Sequence, residues 1–546
     1  MSFVGQQLVA VMLVLGLFGP AAADPAAAAP QPSGHLTITG VLQDGNTVAA
    51  SGVTWTPAPC HNGTCSAALT VSYQWRSCAG ATCGPTAIAW DQPLVPDLLL
   101  GAGDTGRQLM VTETATDTRS DGSTQMAQIT TRSTGAVIAW PAGQAPRVDF
   151  IHGLPEATTG SDQEDFALSP PHANAADGKV TVTCSLDGSP FSNACAATSS
   201  FVTPRLAAGS HGVAVRATNR AGESTTEFHW QVTPLPAAVP CASCFHPPHL
   251  AATGSPMTWD WQLSNSGGQL VYRNVDLFDI DGFDNSASVV NQIHSRPGRT
   301  LPHELAICYL SLGSWENFRP DAATWPLKAI GLPLAGYPNE HWVDVRQLSA
   351  LLPMISTRLH DQCQGKGFDG VEVDNIDGWD GNRTGLPLTQ SDTEAWLAAV
   401  ANVAHKDGLF VIWKNDPLSV SFGVTYFDGA LSEQCYSFSE CTPGQESGFH
   451  GCNLTSNPCG VQVFANDGKW VGEVEYPPSP GNPGVCAPAQ SCPGPRNFAA
   501  FCRAVWPRPP AGDGFAAWRA DLALDGRTFD PCGPGAGGIR LRGPVQ

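Results

Sequence analysis

Residues 367–379 read GFDGVEVDNIDGW. Four acids, Asp369, Glu372, Asp374 and Asp377, fall within nine residues around Val371 and Val373. A run of acids is usually a solvated face or a metal loop. Here the valines alternate with the acids, which is the period of a strand. Glu372 and Asp374 then share one side and the valines the other. Two carboxylates on the inner face of a strand end are what hydrolysis of a glycosidic bond requires.

The chain has 546 residues, enough for about two to four domains. Lys and Arg number 28 against 48 Asp and Glu, a formal charge of −20. This balance excludes nucleic acid and anionic membrane as natural partners and attracts a cationic one. The same charge also keeps an exported protein soluble. Residues 8–18, LVAVMLVLGLF, followed by GPAAADP, read as a secretory signal peptide over 1–23, with Ala21 and Ala23 at the cleavage site. No other stretch is apolar enough to insert in a membrane. Eighteen cysteines fit an extracellular, oxidised protein. Close spacing predicts local disulfides for Cys60 with Cys65, Cys78 with Cys83, Cys184 with Cys195, Cys435 with Cys441, Cys452 with Cys459 and Cys486 with Cys492. CASC at 241–244 has no second pair nearby to complete a zinc site.

Residues 34–135 and 147–233 alternate as short β runs between Gly, Asn, Asp and Pro. Trp75, the short loop after Cys78 and GDTGRQLMVTETATD resemble bacterial immunoglobulin-like repeats; KVTVTCSLDGSPFSNAC, in the second block, resembles another such module. Each is expected to be an all-β sandwich with a spacing or weak polymer-binding role. Residues 234–255, beginning PLPAAVPCASC, read as a Pro- and Ala-rich linker.

From 256 to 535 apolar runs alternate with longer polar stretches, which predicts parallel α/β architecture. Eight candidate strands lie at 258–263, 271–279, 305–312, 341–345, 367–374, 408–414, 426–433 and 470–476. That number fits a (β/α)8 TIM barrel. QSDTEAWLAAVANVAHKDG predicts a helix with Ser391 as N-cap, Glu394 three residues on and Gly408 closing it. Residues beyond Tyr476 read as a tail, in which GFAAWRADLAL (514–524) stands out only loosely.

In such a barrel chemistry gathers at the C-terminal strand ends. Asp276 and Asp279 close the second predicted strand, Ser311, Ser314 and Glu316 the third, Asp344 and Arg346 the fourth, and Glu372, Asp374 and Asn375 the fifth. Lys414 and Asn415 close the sixth, Glu433 the seventh, and Glu475 and Tyr476 the eighth. Any one of these alone is more often a buried ion pair or a cap; their shared placement on one rim is what points to function. Trp259, Trp261, Tyr309, Trp315, Trp342, Trp379, Trp413, Tyr436 and Tyr476 flank the same ends. Aromatic faces stack on sugar rings and attract ammonium groups, although core packing uses them too.

WDWQL, DLFDID, ICYLSLGSWENFRPD, HWVDVR, GFDGVEVDNIDGW, the TG at 384–385, WKND, SEQC and VEY follow one another over 258–476, about two-fifths of the chain. In this order they resemble glycoside hydrolase family 114, the endo-α-1,4-polygalactosaminidase family. The resemblance implies a (β/α)8 barrel that cleaves internal α-1,4 linkages of a galactosamine-containing polysaccharide without a cofactor. It singles out Asp374, as nucleophile or as base, and Glu433, as the acid protonating the leaving oxygen. A carboxyl that must hold its proton needs burial or negative neighbours, here Glu372 and Asp374. Glu372 is the rival for either role. Asp276, Asp279, Tyr309, Glu316, Asp344, Arg346, Asn375, Lys414, Asn415, Glu475 and Tyr476 complete the expected substrate-binding set. Residues 256–546 hold 31 acids and 19 bases, a net of −12, which suits an amine-bearing polymer. DNIDGWDGN lacks the ligand spacing of a calcium loop, and no metal is expected. The competing readings are a non-catalytic polysaccharide-binding or adhesion protein and a hydrolase of another α-hexoside such as an α-galactoside.

Overall fold

The computed structural model describes residues 29–533, apart from 61–63, 89–91, 120–122, 196–198, 265–268, 443–457, 481–482, 491 and 507–512. The predicted signal peptide and Cys452 lie outside the described residues. Two β-rich units precede the barrel. The first holds β1 (Gln31–Gly40), β2 (Thr47–Thr56), β3 (Ser66–Ala79), β4 (Thr82–Gly84), β5 (Asp97–Leu99), β6 (Gln108–Arg119) and β7 (Thr124–Ala136). They form two antiparallel sheets, β1-β2-β5 and β4-β3-β6-β7. Val48, Trp75, Leu98, Leu109 and Val111 are buried together as its core.

The second unit holds β8 (Thr158–Thr159), β9 (Asp165–Ala167), β10 (Thr181–Leu186), β11 (Ser200–Val202), β12 (Gly209–Asn219) and β13 (Gly222–Val232), in sheets ordered β10-β12-β13-β8 and β11-β9. It is pinned to its neighbours by buried polar contacts. His172 Nδ1 lies 2.7 Å from Asp44 of the first unit, and Arg346 of the barrel donates to the His152 carbonyl at 3.0 Å.

The barrel strands are β14 (Trp259–Gln262), β15 (Leu277–Asp281), β16 (Leu305–Ser311), β20 (Gly370–Asp374), β21 (Phe410–Lys414), β22 (Gly429–Glu433), β23 (Trp470–Glu475) and β24 (Ala516–Arg519). Each is parallel to the next. An antiparallel β25 (Asp530–Pro531) follows β24. Trp259 Nε1 donates to the Ala516 carbonyl, joining the first strand to the eighth. Between β16 and β20 the chain leaves the barrel to build a small antiparallel sheet from β17 (Ser314–Glu316), β18 (Ile330–Leu334) and β19 (Tyr337–Val343).

Two of the expected strands are therefore corrected. HWVDV belongs to β19 of the antiparallel sheet, because a short apolar run carries no information on parallel or antiparallel pairing. The eighth barrel strand is AAWR in the presumed tail. Its alanines are small where Trp259, Trp470 and Trp518 fill the lumen, so the strand lacks the bulky β pattern that identified the others. The second strand is also shifted: it begins after Asp276 and runs through Asp279 to Asp281.

Strand alternation sorts the core into two layers. Val371 and Val373 face outward with Leu397, Ala401 and Ala404 of the helix Gln390–Lys406. Full burial of each valine contributes about 1.5–3 kcal/mol. Phe410, Ile412, Leu431, Trp470 and Val474 face the lumen. Gly370 is required there, since a Cβ would lie 2.3 Å from the Phe410 ring. The helix Gln390–Lys406 starts two residues earlier than expected. Thr389 is its N-cap, in a capping box with Asp392, while the Ser391 hydroxyl reaches Asp162 of the second β unit at 2.7 Å.

Eight disulfides join described cysteines, including five of the predicted local pairs. CASC closes on itself as Cys241–Cys244, and Cys308–Cys363 and Cys502–Cys532 are longer links. Among the described residues no helix is long and apolar enough to cross a membrane.

Candidate active site

The lumen is apolar at its base and turns polar toward the C-terminal strand ends, from the buried Asp279 and Glu372 upward. Register fixes this change: Ser311 of β16 stands opposite Asp374 of β20, and Trp413 precedes Lys414 as β21 ends. Three successive strands end the same way. Asp374 is followed by Asn375 (φ 60), Lys414 by Asn415 (φ 50), and Glu433 by Gln434 (φ 63). Left-handed backbone at non-glycine residues is costly and recurs where side chains must be aimed. Asn375 also forces a glycine opposite, because a Cβ on Gly313 would sit 1.6 Å from the Asn375 carbonyl oxygen.

Lys414 organises the layer. Its ammonium donates to Glu372 Oε1 at 2.8 Å and Asp374 Oδ1 at 3.1 Å, and lies 3.3 Å from Glu433 Oε2. One nitrogen at 3.1 and 3.3 Å holds the Asp374 and Glu433 oxygens no more than 6.4 Å apart, the sum of those distances. The ring of Trp261 lies under the ammonium, 4.5 Å from its centroid, and Tyr309 at 6.0 Å. Burial alone would push the ammonium toward neutrality. Asp374, Glu372 and Glu433 outweigh it and hold Lys414 well above the ordinary lysine value.

Each carboxylate of the pair is gripped at both oxygens. Asp374 Oδ2 accepts from the Tyr309 hydroxyl at 2.8 Å. Glu433 Oε1 accepts from Tyr476, and its Oε2 from Asn415 Nδ2 at 3.2 Å. The Asn415 side chain closes the loop by accepting the Glu433 backbone N–H at 2.8 Å. Glu433 thus meets an ammonium and two neutral donors, rather than the crowding by Glu372 that the sequence suggests.

Below Lys414, Glu372 and Asp279 are fully buried. Burial first, and then the Glu372 charge, pushes the Asp279 carboxyl well above its ordinary range. Burial raises the Glu372 carboxyl as well, against the opposing charge of Lys414. Glu372 is therefore the counter-charge of Lys414, set beneath the cleft rather than in it.

Several expected site residues lie elsewhere. Asp276 precedes β15 at the opposite barrel end, where its carboxylate accepts the backbone N–H of Thr258 and Leu301. Asp344 and Arg346 pair with each other at 2.7 Å against the second β unit, because HWVDV is not a barrel strand. Glu475 points out of the lumen to Ser437, since alternation puts Tyr476 inward. Glu316 is tied at 2.8 Å to Arg319 and at 3.4 Å to Arg358. Asn375 donates to Ser311 at 2.7 Å and supports the rim. Of the flanking aromatics, Trp259, Trp315 and Trp413 are fully buried in packing. Tyr337 and Glu340 were missed: they stand on β19, and the charges of Glu433, Glu340 and Asp374 reach the Tyr337 phenol. GYPNE at 336–340, a turn followed by an aromatic and an acid, was the available signal.

A sequence profile of glycoside-hydrolase family GH114 matches residues 242–533, more than half of the chain. The chain belongs to family GH114. It is a glycosidase, and its matched region is the barrel described above. Among solved structures, Aspergillus fumigatus Ega3 in complex with galactosamine is 24% identical, over 53% of this chain and 97% of its own, at a TM-score of 0.42. The fibronectin(III)-like modules of Clostridium thermocellum CbhA are 16% identical, over 36% of this chain and 94% of theirs, at a TM-score of 0.12. No curated protein matches the GH114 chain significantly.

Proposed function

We propose that this GH114 protein is a secreted endo-glycosidase that cleaves α-1,4 linkages of a galactosamine-containing polysaccharide by double displacement. The observation that carries the reading is the Lys414 ammonium lodged between Asp374 and Glu433, with at most 6.4 Å between the two facing oxygens. Facing oxygens within that limit accommodate the closely set carboxyl pair, about 5–5.5 Å apart, that a double displacement uses. Asp374, oriented by Lys414 and Tyr309, attacks the anomeric carbon. Glu433 protonates the leaving oxygen as the glycosidic bond breaks. Glu433 then takes a proton from water, whose oxygen displaces Asp374. Lys414 keeps its charge throughout and opposes the negative charge of Asp374 before attack and of Glu433 once it has given up its proton. An acidic barrel rim supports an amine-bearing substrate, and eight disulfides support export. Residues 34–135 and 147–233 are in this reading immunoglobulin-like spacers, and 256–535 the catalytic domain.

Reducing ends released from deacetylated galactosaminogalactan test the reading. Wild type releases them and Asp374→Asn and Glu433→Gln do not. Binding without release by wild type would make the protein a lectin, and release only from neutral galactans would change the substrate. A first-formed α anomer, seen by NMR, fits double displacement; a β anomer overturns it.

A further inference from the structure

The acids around the cleft differ in one respect. Asp281 has Arg319 at 2.6 Å, Glu316 has Arg319 and Arg358, and Glu372, Asp374 and Glu433 have Lys414. Glu340 has no cation within ion-pair distance among the described residues. Its Oε2 accepts from Ser314 Oγ at 3.3 Å, and Oε1 takes no hydrogen bond there. A short chain of hydroxyls leads from it to the catalytic strand: Ser314 Oγ meets Ser311 Oγ, which accepts from Asn375, the residue after Asp374. Burial, Glu316 and Asp374 push the Glu340 carboxyl up to about 7, against the weaker opposing pull of the Ser314 hydrogen bond and the Arg319 charge.

Tyr337 stands three residues before it on β19. It is 53% exposed, unlike Tyr309 and Tyr476, whose hydroxyls are taken by Asp374 and Glu433. The faces of Trp261 and Tyr309 already serve Lys414. Among the described residues no cation lies over the Tyr337 ring, and its phenol feels the charges of Glu433, Glu340 and Asp374.

We propose that Glu340 and Tyr337 form an ammonium subsite that binds the free amine of a galactosamine unit beside Asp374. The inference rests on the proposed substrate class and assigns the residues that select it. A carboxylate supplies a charge-assisted hydrogen bond to the ammonium, and the phenol ring supplies a cation–π face. N-Acetylation removes the charge, adds bulk and leaves Glu340 unpaired, so the subsite discriminates against acetylated units. Strand β19 carries both residues and pairs with β17, which follows the end of barrel strand β16.

The test is equilibrium binding of an α-1,4-galactosamine oligosaccharide and its N-acetylated twin. It uses the full-length Glu433→Gln protein, with and without Glu340→Gln or Tyr337→Leu. The amine form is expected to bind about tenfold more tightly than the acetylated one. Glu340→Gln should abolish that ratio while changing the acetylated affinity less than twofold, and Tyr337→Leu should reduce it about threefold. An unchanged ratio in Glu340→Gln overturns the assignment, as does equal binding of both forms by the parent. Thermal melting of the variants within 2 °C of the parent, on the order of 1 kcal/mol or less, shows that the change is local. Cleavage by wild type is measured separately: wild type that cleaves galactosamine polymer with Glu340→Gln unaltered sinks this subsite alone, whereas wild type inert on that polymer sinks the proposed function.

Discussion

The two ends of the barrel both carry buried aspartates, yet they are built differently. At the N-terminal end the residues before β15, β20 and β22 are Asp276, Asp369 and Asp428. Each accepts a backbone N–H from the neighbouring strand or its lead-in: Thr258, Ala306 and Val411 respectively. His294 adds to Asp369, and His405 and His246 to Asp428. At the C-terminal end Asp374 and Glu433 are held through side chains from other strands: Lys414, Tyr309, Asn415 and Tyr476. Backbone donors saturate a carboxylate and lock it into the sheet. Long side chains hold it over a gap and leave room for a substrate. Burial and charge alone do not separate the two kinds of acid; the identity of the donors does.

Substitution at the C-terminal end should act on turnover. Asp374→Asn and Glu433→Gln are expected to lower kcat about a thousandfold or more with little change in melting temperature; a melting loss comparable to that of a core variant would erase the contrast. Lys414→Met straddles it. Removing the buried ammonium leaves Glu372 and Asp374 facing each other uncompensated, which costs about 3–5 kcal/mol in denaturant unfolding as well as activity. At the N-terminal end Asp428→Ala removes the carboxylate that Val411 N–H, His405 and His246 share and orphans those partners, for a loss of about 3 kcal/mol. Activity per folded molecule should be unchanged there, and a drop in kcat would show the two ends to be coupled.

The smallest effect concerns the junction with the second β unit. Glu164 is buried against Asp392, and burial followed by that charge raises its carboxyl far above the ordinary glutamate value. A raised acid binds more protons folded than unfolded, so stability is greatest below the unfolded value of about 4.3 and falls as pH rises above it. Glu164→Gln should therefore raise the melting temperature by a few degrees at pH 8, with the gap shrinking toward pH 4. A gap that is constant with pH would mean the pair is ionised.

Much of this was legible in the chain. The alternation in GFDGVEVDNIDGW put Glu372 and Asp374 on the lumen side and both valines outward, as the register shows. Strands ending in WK, SE and EY placed Lys414, Glu433 and Tyr476 on one rim. The same logic failed where an acid follows an apolar run outside the barrel, as with Asp344, or where one residue of phase decides the face, as with Glu475. It missed AAWR because a strand packed against tryptophans needs small residues. Tyr337 and Glu340 were invisible as a pair, since only the pairing of β19 with β17 brings them to the acids.

Local periodicity determined which side chains could share a face, because a strand alternates whatever surrounds it. Family motifs in order determined the barrel. Only the closed barrel decided which acids pair with an ammonium across strands and which cap backbone, since those partners lie 17 to 63 residues away along the chain and meet only when the strands close side by side.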